Sequence, residues 1–579
     1  MVLPTCDGQQ TLYYTEVSFF SPAFFIGPSV YIIQEAPFYF RSSIASIVML
    51  NPLFHKSNHK YDIELSVPAD DPVRLLSAFV EGMDLSELYA TYDRIRKNQA
   101  TPRQMLKIMI YAAMNRIYSS RDIEKACRRD INFLYLLEGA PAPDHATIAR
   151  FMSLHFSECS RSFLAEVTSL LYELGEVSAN TVFIDGTKIE AYANKYTFVW
   201  KRTTLKSQKK LFEKILLFTA ECERTYGLRI VYNNEVSEHT LLRLKKDLLK
   251  VCASEGIRFV HGTGKKKSTL QKDVEQLDEF RKKLHEYNEK LRICGNRNSY
   301  SKTDHDATFM RLKEDAMLNG QLKPAYNVQH AVDAEYITWV GVSEHPTDTL
   351  TLIPLLKEME KELPFKYSEI VADAGYESEE NYAYLERNGQ RAFIKPANYE
   401  ISKTRKYRED PGRRENMAYD ADRDCYLCRD GRELAVKKTK TEKTRSGYCR
   451  TVTIYECKDC RNCPYKTQCI RGNNSKTPME DRNKVIYVSK AMKQYQAACL
   501  ERITSDYGTM LRMNRSIQAE GSFAVIKEDM GFRQYLYRGK KSVLAQSILT
   551  AIAHNINRLH FKIQGNRTRR YLIPVLETA

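Results

Sequence analysis

The sequence predicts an α/β chain: a mixed five-stranded sheet with flanking helices, joined to an all-α N-terminal part and interrupted by two insertions. Three observations carry that reading. Short runs of β-branched and aromatic residues stop abruptly on turn chemistry, as in Val182-Phe183-Ile184 before Asp185-Gly186 and in Ile370-Val371-Ala372 before Asp373. Between these runs, KPAYNVQHAVD and YITWVGVSEH read as neighbouring strands that lead through Thr347-Asp348 into a helical LTLIPLLKEMEKEL. From Tyr61 to about Phe156 the apolar residues recur at three- and four-residue steps instead. With 579 residues, 43% of them hydrophobic, the chain exceeds one ordinary domain.

Residues 1–58 are aromatic and apolar, broken by Pro22, Gly27 and Pro28, and the first basic residue is Arg41. A secretory signal needs an early positive charge, so this stretch is expected to be an extension or the product of a misassigned start. Residues 59–175 are expected to be helical. Val73, Leu75, Leu76, Phe79 and Val80 keep helical spacing, as do Met105, Leu106, Ile108, Met109 and Ala112. SSRDIEKACRRDINF and PDHATIARFMSLHF carry cap residues at their starts. Arg121, Arg128, Arg129 and Arg150 give these helices basic faces, which suit either phosphate contacts on DNA or an ordinary solvated surface.

The sheet is expected from residues 176–199, 303–395 and 491–560, with RAFIK as its fifth strand. Residues 200–302 form a first insertion, Lys-rich, in which Leu270, Val274, Leu277, Phe280 and Leu284 draw an amphipathic stripe. Its GTGKKKS lacks the spacing of a phosphate loop. Residues 396–490 form a second, basic insertion containing Cys425-x2-Cys428 and Cys457-x2-Cys460-x2-Cys463-x5-Cys469. Without a signal peptide, thiolate ligation is preferred to disulfides. Cys457, Cys460, Cys463 and Cys469 are the first choice for a structural Zn²⁺, with Cys425 and Cys428 as substitutes, and reduced cysteines without metal as the alternative. Residues 561–579 read as a basic, mobile tail. The balance of 88 Lys+Arg against 72 Asp+Glu, +16 overall, suits a polyanionic partner. No apolar run approaches the roughly 20 residues that span a bilayer, so no membrane partner is expected.

The chemistry is expected where acids meet. Asp185 and Asp373 each end a buried strand, and Glu520 lies on a helix two turns before Lys527, on the same face. Two strand-end aspartates and a helical glutamate are how a ribonuclease-H-like domain assembles a site for two divalent cations.

FIDGTKIEAYANKYTFVWK, KPAYNVQ, VADAGYESEENYAYL, RSIQAEGSFAVIK and YRGKKSVLAQSILTAIAHNI, in this order, resemble the DDE transposases of bacterial insertion sequences. The branch is the one with a Y-R-E-K signature, insertion-sequence-four-like, in its long form with a cysteine-rich insertion. The chain departs from that signature: the Arg and Tyr positions before Glu520 hold Ser516 and Met513, while Arg515 and Arg512 stand one residue further upstream. The resemblance implies that Asp185, Asp373 and Glu520 hold two Mg²⁺ (or Mn²⁺) ions and that Lys527 contacts a phosphate near the cut. It also implies that the helical part binds terminal repeats on double-stranded DNA through Arg121, Arg128, Arg129 and Arg150, with Arg512, Arg515, Arg533 and Arg538 as further DNA contacts. A homodimer synapsed on DNA and a cytoplasmic, nucleoid-associated bacterial protein go with it. The rival expectation is a catalytically silent, zinc-stabilised DNA-binding protein derived from such an enzyme.

Overall fold

A computed structural model describes residues 63–571, apart from 96–97, 229–235, 263, 265, 313–320 and 473–476. The expectation for residues 1–58 falls outside the described residues.

The central sheet is built from β1 (Thr181–Glu190), β4 (Thr308–Arg311), β5 (Leu322–Asp333), β6 (Tyr336–Ser343), β7 (Glu369–Ala372) and β8 (Arg391–Ile394), while β2 (Phe198–Trp200) and β3 (Ser299–Ser301) form a separate two-stranded ribbon. β5 runs antiparallel to β1 on one side, and on its other side to β4 and β6, which share that edge end to end. β7 is parallel to β1, and β8 to β7. Three antiparallel strands in succession, a helix, a parallel strand, a helix and a last parallel strand is an arrangement compatible with the ribonuclease-H-like fold. β4 is the sixth strand; β5, at twelve residues, is long enough to take it beside β6.

β1 and β5 are buried on both faces, so beside the apolar run Val182–Ile184 they carry buried polar residues, Asp185 and Thr187 on β1 and Asn327, Gln329 and His330 on β5. The helix Lys540–Gln564 packs against β6. It also finishes the edge of that strand: the Asn555 amide accepts from the Ile337 N–H and donates to the Ile337 carbonyl, each at 2.8 Å. A ladder edge that would otherwise stay unpaired is thereby satisfied.

From Ile63 to Glu173 the described elements are helices. Thr101 and Gln104 close a capping box on Pro102–Met114, and Asp144 caps His145–Arg150 by accepting from the Thr147 N–H at 2.6 Å. The expected SSRDIEKACRRDINF helix divides at Asp130, whose carboxylate caps the second half through the Asn132 N–H. These helices do not own a separate core. Phe79, Leu106, Phe133 and Phe163 belong to one apolar cluster with Trp339, Ile370 and Ile552, because Lys540–Gln564 is wedged between them and the sheet.

Among its described residues the first insertion forms three helices, Lys201–Tyr226, Glu238–Ser254 and Thr269–Cys294, rooted on the β2–β3 ribbon. The stripe from Leu270 to Leu284 is buried there in a core of its own with Leu211, Ile215 and Leu244. The second insertion is an antiparallel sheet of β9 (Ala418–Asp420), β10 (Cys425–Leu427), β11 (Glu433–Lys443), β12 (Cys449–Cys457) and β13 (Val485–Val488). The described part of the tail is pinned, against the expectation of mobility: the Arg569 N–H donates to Glu176 Oε1 at 2.6 Å, and the Tyr571 hydroxyl to the Gly175 carbonyl at 2.6 Å. Among the described residues no helix is long and apolar enough to cross a membrane.

Candidate active site

The register of β1 against β7 pairs Ile184 with Ala372, so Asp185 and Asp373 are the next residue on each of two adjacent parallel strands. Asp185 is buried (8% exposed) and stands opposite His330 of β5. Asp373 is half-buried, and its Oδ1 accepts from the Gly375 N–H at 2.8 Å, which holds the carboxylate over the turn Ala374–Tyr376.

The third acid arrives on a helix laid across the same face of β1. The His330 ring stacks on Phe523 with centroids 3.9 Å apart, and its Nδ1 lies 3.2 Å from Ser522 Oγ. Burial holds the His330 pKa well below the ordinary histidine value, and the positive charge of Lys527 opposes protonation further, so the ring packs neutral. This segment is not a plain α-helix. Asp506–Arg515 gives way to a π-turn at Ser516–Glu520, then Gly521–Ala524, then a second π-turn at Val525–Asp529. The first π-turn adds one residue to the turn. Arg515, five residues before Glu520, therefore reaches it: Nη2 donates to Glu520 Oε1 at 2.6 Å, and Ser516 Oγ lies 3.2 Å from Oε2. Nη1 of the same guanidinium lies 3.7 Å from Asp185 Oδ2. Lys527 is buried, and its ammonium donates to Thr187 Oγ1 at 2.7 Å, two residues beyond Asp185 on β1.

Sequence reasoning missed a second layer. Asp348, just before the helix Leu352–Glu362, accepts from Asn327 Nδ2 at 2.7 Å and from Gln329 Nε2 at 3.2 Å, and the Tyr376 hydroxyl donates to Gln329 Oε1. Gly186 and Gly375 make room for it. A Cβ on Gly375 would lie 3.0 Å from Asp373 Oδ1 and 3.1 Å from Asp348 Oδ2. Burial raises the Tyr376 pKa well above the ordinary phenol value, and the charges of Asp348, Asp185 and Asp373 add to it, so three carboxylates converge on one phenol. The signal was present in the glycines that follow each strand-end Asp, but its partner is distant in sequence.

The remaining candidates are dispersed. Arg121, Arg128, Arg129 and Arg150 are exposed on the adjoining helices Ser120–Arg129 and His145–Arg150, with Arg128 held by Glu124 at 2.5 Å. Arg512 lies over the Tyr399 ring at 5.2 Å. Arg533 is paired with Glu528, and Arg538 donates to the Tyr192 carbonyl at 3.1 Å. Cys428, Cys457, Cys460, Cys463 and Cys469 line one cavity of about 20 Å³ together with Leu434, Ile470 and Lys484, whereas Cys425 does not line it. Burial pushes the Cys457 thiol up to about 12, and Cys460 beside it adds to the shift. Among the described residues, no three His, Cys, Asp or Glu side chains are gathered so as to hold a metal ion.

Two family profiles match the chain. One, described as a transposase DDE domain, covers residues 427–560 and so includes Glu520 and Lys527. The other, a transposase domain (DUF772), covers residues 61–154. Together they support a DDE transposase of insertion-sequence type. Asp185 and Asp373 lie between the two matched stretches. No curated protein and no solved structure gives a significant match.

Proposed function

We propose that the chain is a DDE transposase of the Y-R-E-K branch. It binds the terminal inverted repeats of its own insertion sequence, cleaves DNA at the element ends and joins the 3′-OH ends to target DNA by metal-dependent phosphoryl transfer. The observation that carries this is the meeting of Asp185, on a buried strand, with Glu520, on a distant helix, through one guanidinium, while Asp373 occupies the adjacent strand position. Arg515 takes the place of the signature arginine because the π-turn absorbs the extra residue.

Asp185, Asp373 and Glu520, which are not gathered closely enough to hold an ion while Arg515 stands between Asp185 and Glu520, would close on Mg²⁺ or Mn²⁺, two ions in all. Hard carboxylate oxygens match these cations, and the guanidinium drawn between two of the acids marks the gap as one that favours positive charge. When bound, the ions supply Lewis-acid activation and charge neutralisation for phosphodiester chemistry. The side chains do the rest. Lys527, fixed by Thr187, sets a positive charge beside the Asp185 strand where a DNA phosphate oxygen can be held. Arg121, Arg128, Arg129 and Arg150 contact phosphates of the terminal repeat, and Arg512, Arg533 and Arg538 flank the site. Double-stranded DNA is the partner, on which two copies synapse, in the bacterial cytoplasm on the nucleoid.

The test uses the purified chain, Mg²⁺ and a supercoiled plasmid carrying the DNA from both sides of the encoding gene. End cleavage with joining to a second plasmid supports the reading. Cleavage without joining would point to a nuclease of the same fold, and end binding without cleavage to the silent, zinc-stabilised descendant. The cysteine cavity belongs to the same proposal: a structural Zn²⁺ held by thiolates among Cys428, Cys457, Cys460, Cys463 and Cys469 would offset the cost of ionising buried thiols. Elemental analysis of the reduced, reconstituted chain should find one zinc per chain, retained in Cys425→Ser and lost in Cys457→Ser. A metal-free protein would overturn it.

A further inference from the structure

Arg515 stands where a divalent ion would be wanted. Its guanidinium is 2.6 Å from Glu520 Oε1 and 3.7 Å from Asp185 Oδ2, and its side chain is 18% exposed. In an uninterrupted α-helix the residue one turn before Glu520 would be Ser516, and Arg515 would point away. The π-turn Ser516–Glu520 turns Arg515 inward.

We infer that Arg515 is the resident counter-ion of the DNA-free site: it holds Glu520 against Asp185 and competes with the divalent cation for their oxygens. This rests on the reading of the acids as metal ligands. A guanidinium keeps its charge across the working pH range, so it leaves the carboxylates by moving and not by losing a proton. The move is easy. The Glu520 side chain is 51% exposed, and an ion pair that open to water is worth little. Once displaced, the planar fork lies at the rim of the site, where a DNA phosphate is its next partner. Metal loading thus frees the arginine for DNA, and by linkage DNA capture of the arginine favours metal loading.

The experiment uses the full chain and Mn²⁺ alone, followed by the paramagnetic resonance signal of the free ion. The wild type should take up Mn²⁺ weakly, and Asp185→Asn should abolish uptake. Arg515→Gln should bind it roughly twofold to fivefold more tightly, the range expected for releasing a half-exposed ion pair. Arg515→Lys, which keeps the charge without the fork, should fall between the two. Thermal unfolding guards against a misfolded variant: Arg515→Gln should unfold cooperatively, and Mn²⁺ should raise its midpoint more than it raises that of the wild type. If Asp185-dependent uptake is seen in the wild type and Arg515→Gln binds no more tightly, the counter-ion role is wrong while the metal reading stands. If neither protein takes up Mn²⁺ in an Asp185-dependent way, both fail.

Discussion

Gly186 lies between Asp185 and Thr187 on β1, and its replacement by alanine tests whether the missed second layer is built as described. The glycine is needed for space, since its backbone is ordinary strand. A Cβ there would lie 2.8 Å from Asp348 Oδ1 and 3.1 Å from Gln329 Cδ, with Gln329 Nε2 nearer still. The amide cannot simply turn aside, because it donates to Asn327 Oδ1 at 3.0 Å and to Asp348 Oδ1 at 3.2 Å and accepts from Tyr376. Gly186→Ala must therefore push β1 or break part of this network. Overpacking a filled interior costs about 1–3 kcal/mol, and a lost hydrogen bond adds about 1 kcal/mol. Denaturant unfolding should show that loss, and DNA cleavage should fall with it because the displaced strand carries Asp185 and the Thr187 partner of Lys527. Adding Gln329→Ala removes the nearest obstruction, so the double variant should be less destabilised than the two single losses combined. A Gly186→Ala protein within about 0.5 kcal/mol of wild type, with full cleavage, would refute the packing argument.

Other consequences can be checked separately. Glu176 is 2% exposed and accepts from the Tyr336 hydroxyl at 2.9 Å, from Lys562 at 3.1 Å and from the Arg569 N–H at 2.6 Å; Glu176→Gln should cost about 3–5 kcal/mol by stranding a buried ammonium, and Lys562→Met should recover part of it. Asp333 is raised to about 7 chiefly by burial, only partly offset by bonds from Ala179 and Ser178. The folded state thus holds that proton more tightly than the unfolded chain, so this contribution to stability is full below about pH 4 and is lost as pH rises through about 7. Asp333→Asn should flatten that decline in unfolding free energy against pH. Lys527→Met should lower DNA cleavage about a hundredfold, as for removal of one placed charge at a reacting phosphate, while leaving end binding in a gel shift largely intact.

Much of the central sheet was readable because its strands are buried on both faces. Val182–Ile184 and Ile370–Ala372 announce themselves as apolar runs ended by Asp, and the stripe from Leu270 to Leu284 predicts its helix by period alone. β11 was not readable: ELAVKKTKTEK is charged along most of its length because that strand is largely exposed, and pairing with β12 holds it in place. Nor could spacing on an ideal helix find Arg515 beside Glu520. A π-turn depends on how the segment docks on β1 and β5, through contacts such as His330 on Phe523. Asp348 escaped for a related reason: it looks like a helix start, and only the sheet brings it over Gly186 and Gly375. The pinned tail depends on Glu176, which a composition argument does not see.

The central claim is that Asp185, Asp373 and Glu520 act as one site on DNA. Its most direct measurement compares Asp185→Asn, Asp373→Asn and Glu520→Gln, singly and together, for Mg²⁺-dependent cutting of supercoiled DNA bearing the element ends, with a gel shift run on the same samples. Each variant should lose cutting and keep end binding, with the triple variant no worse than any single one. Cutting by the triple variant at the wild-type rate would contradict the account.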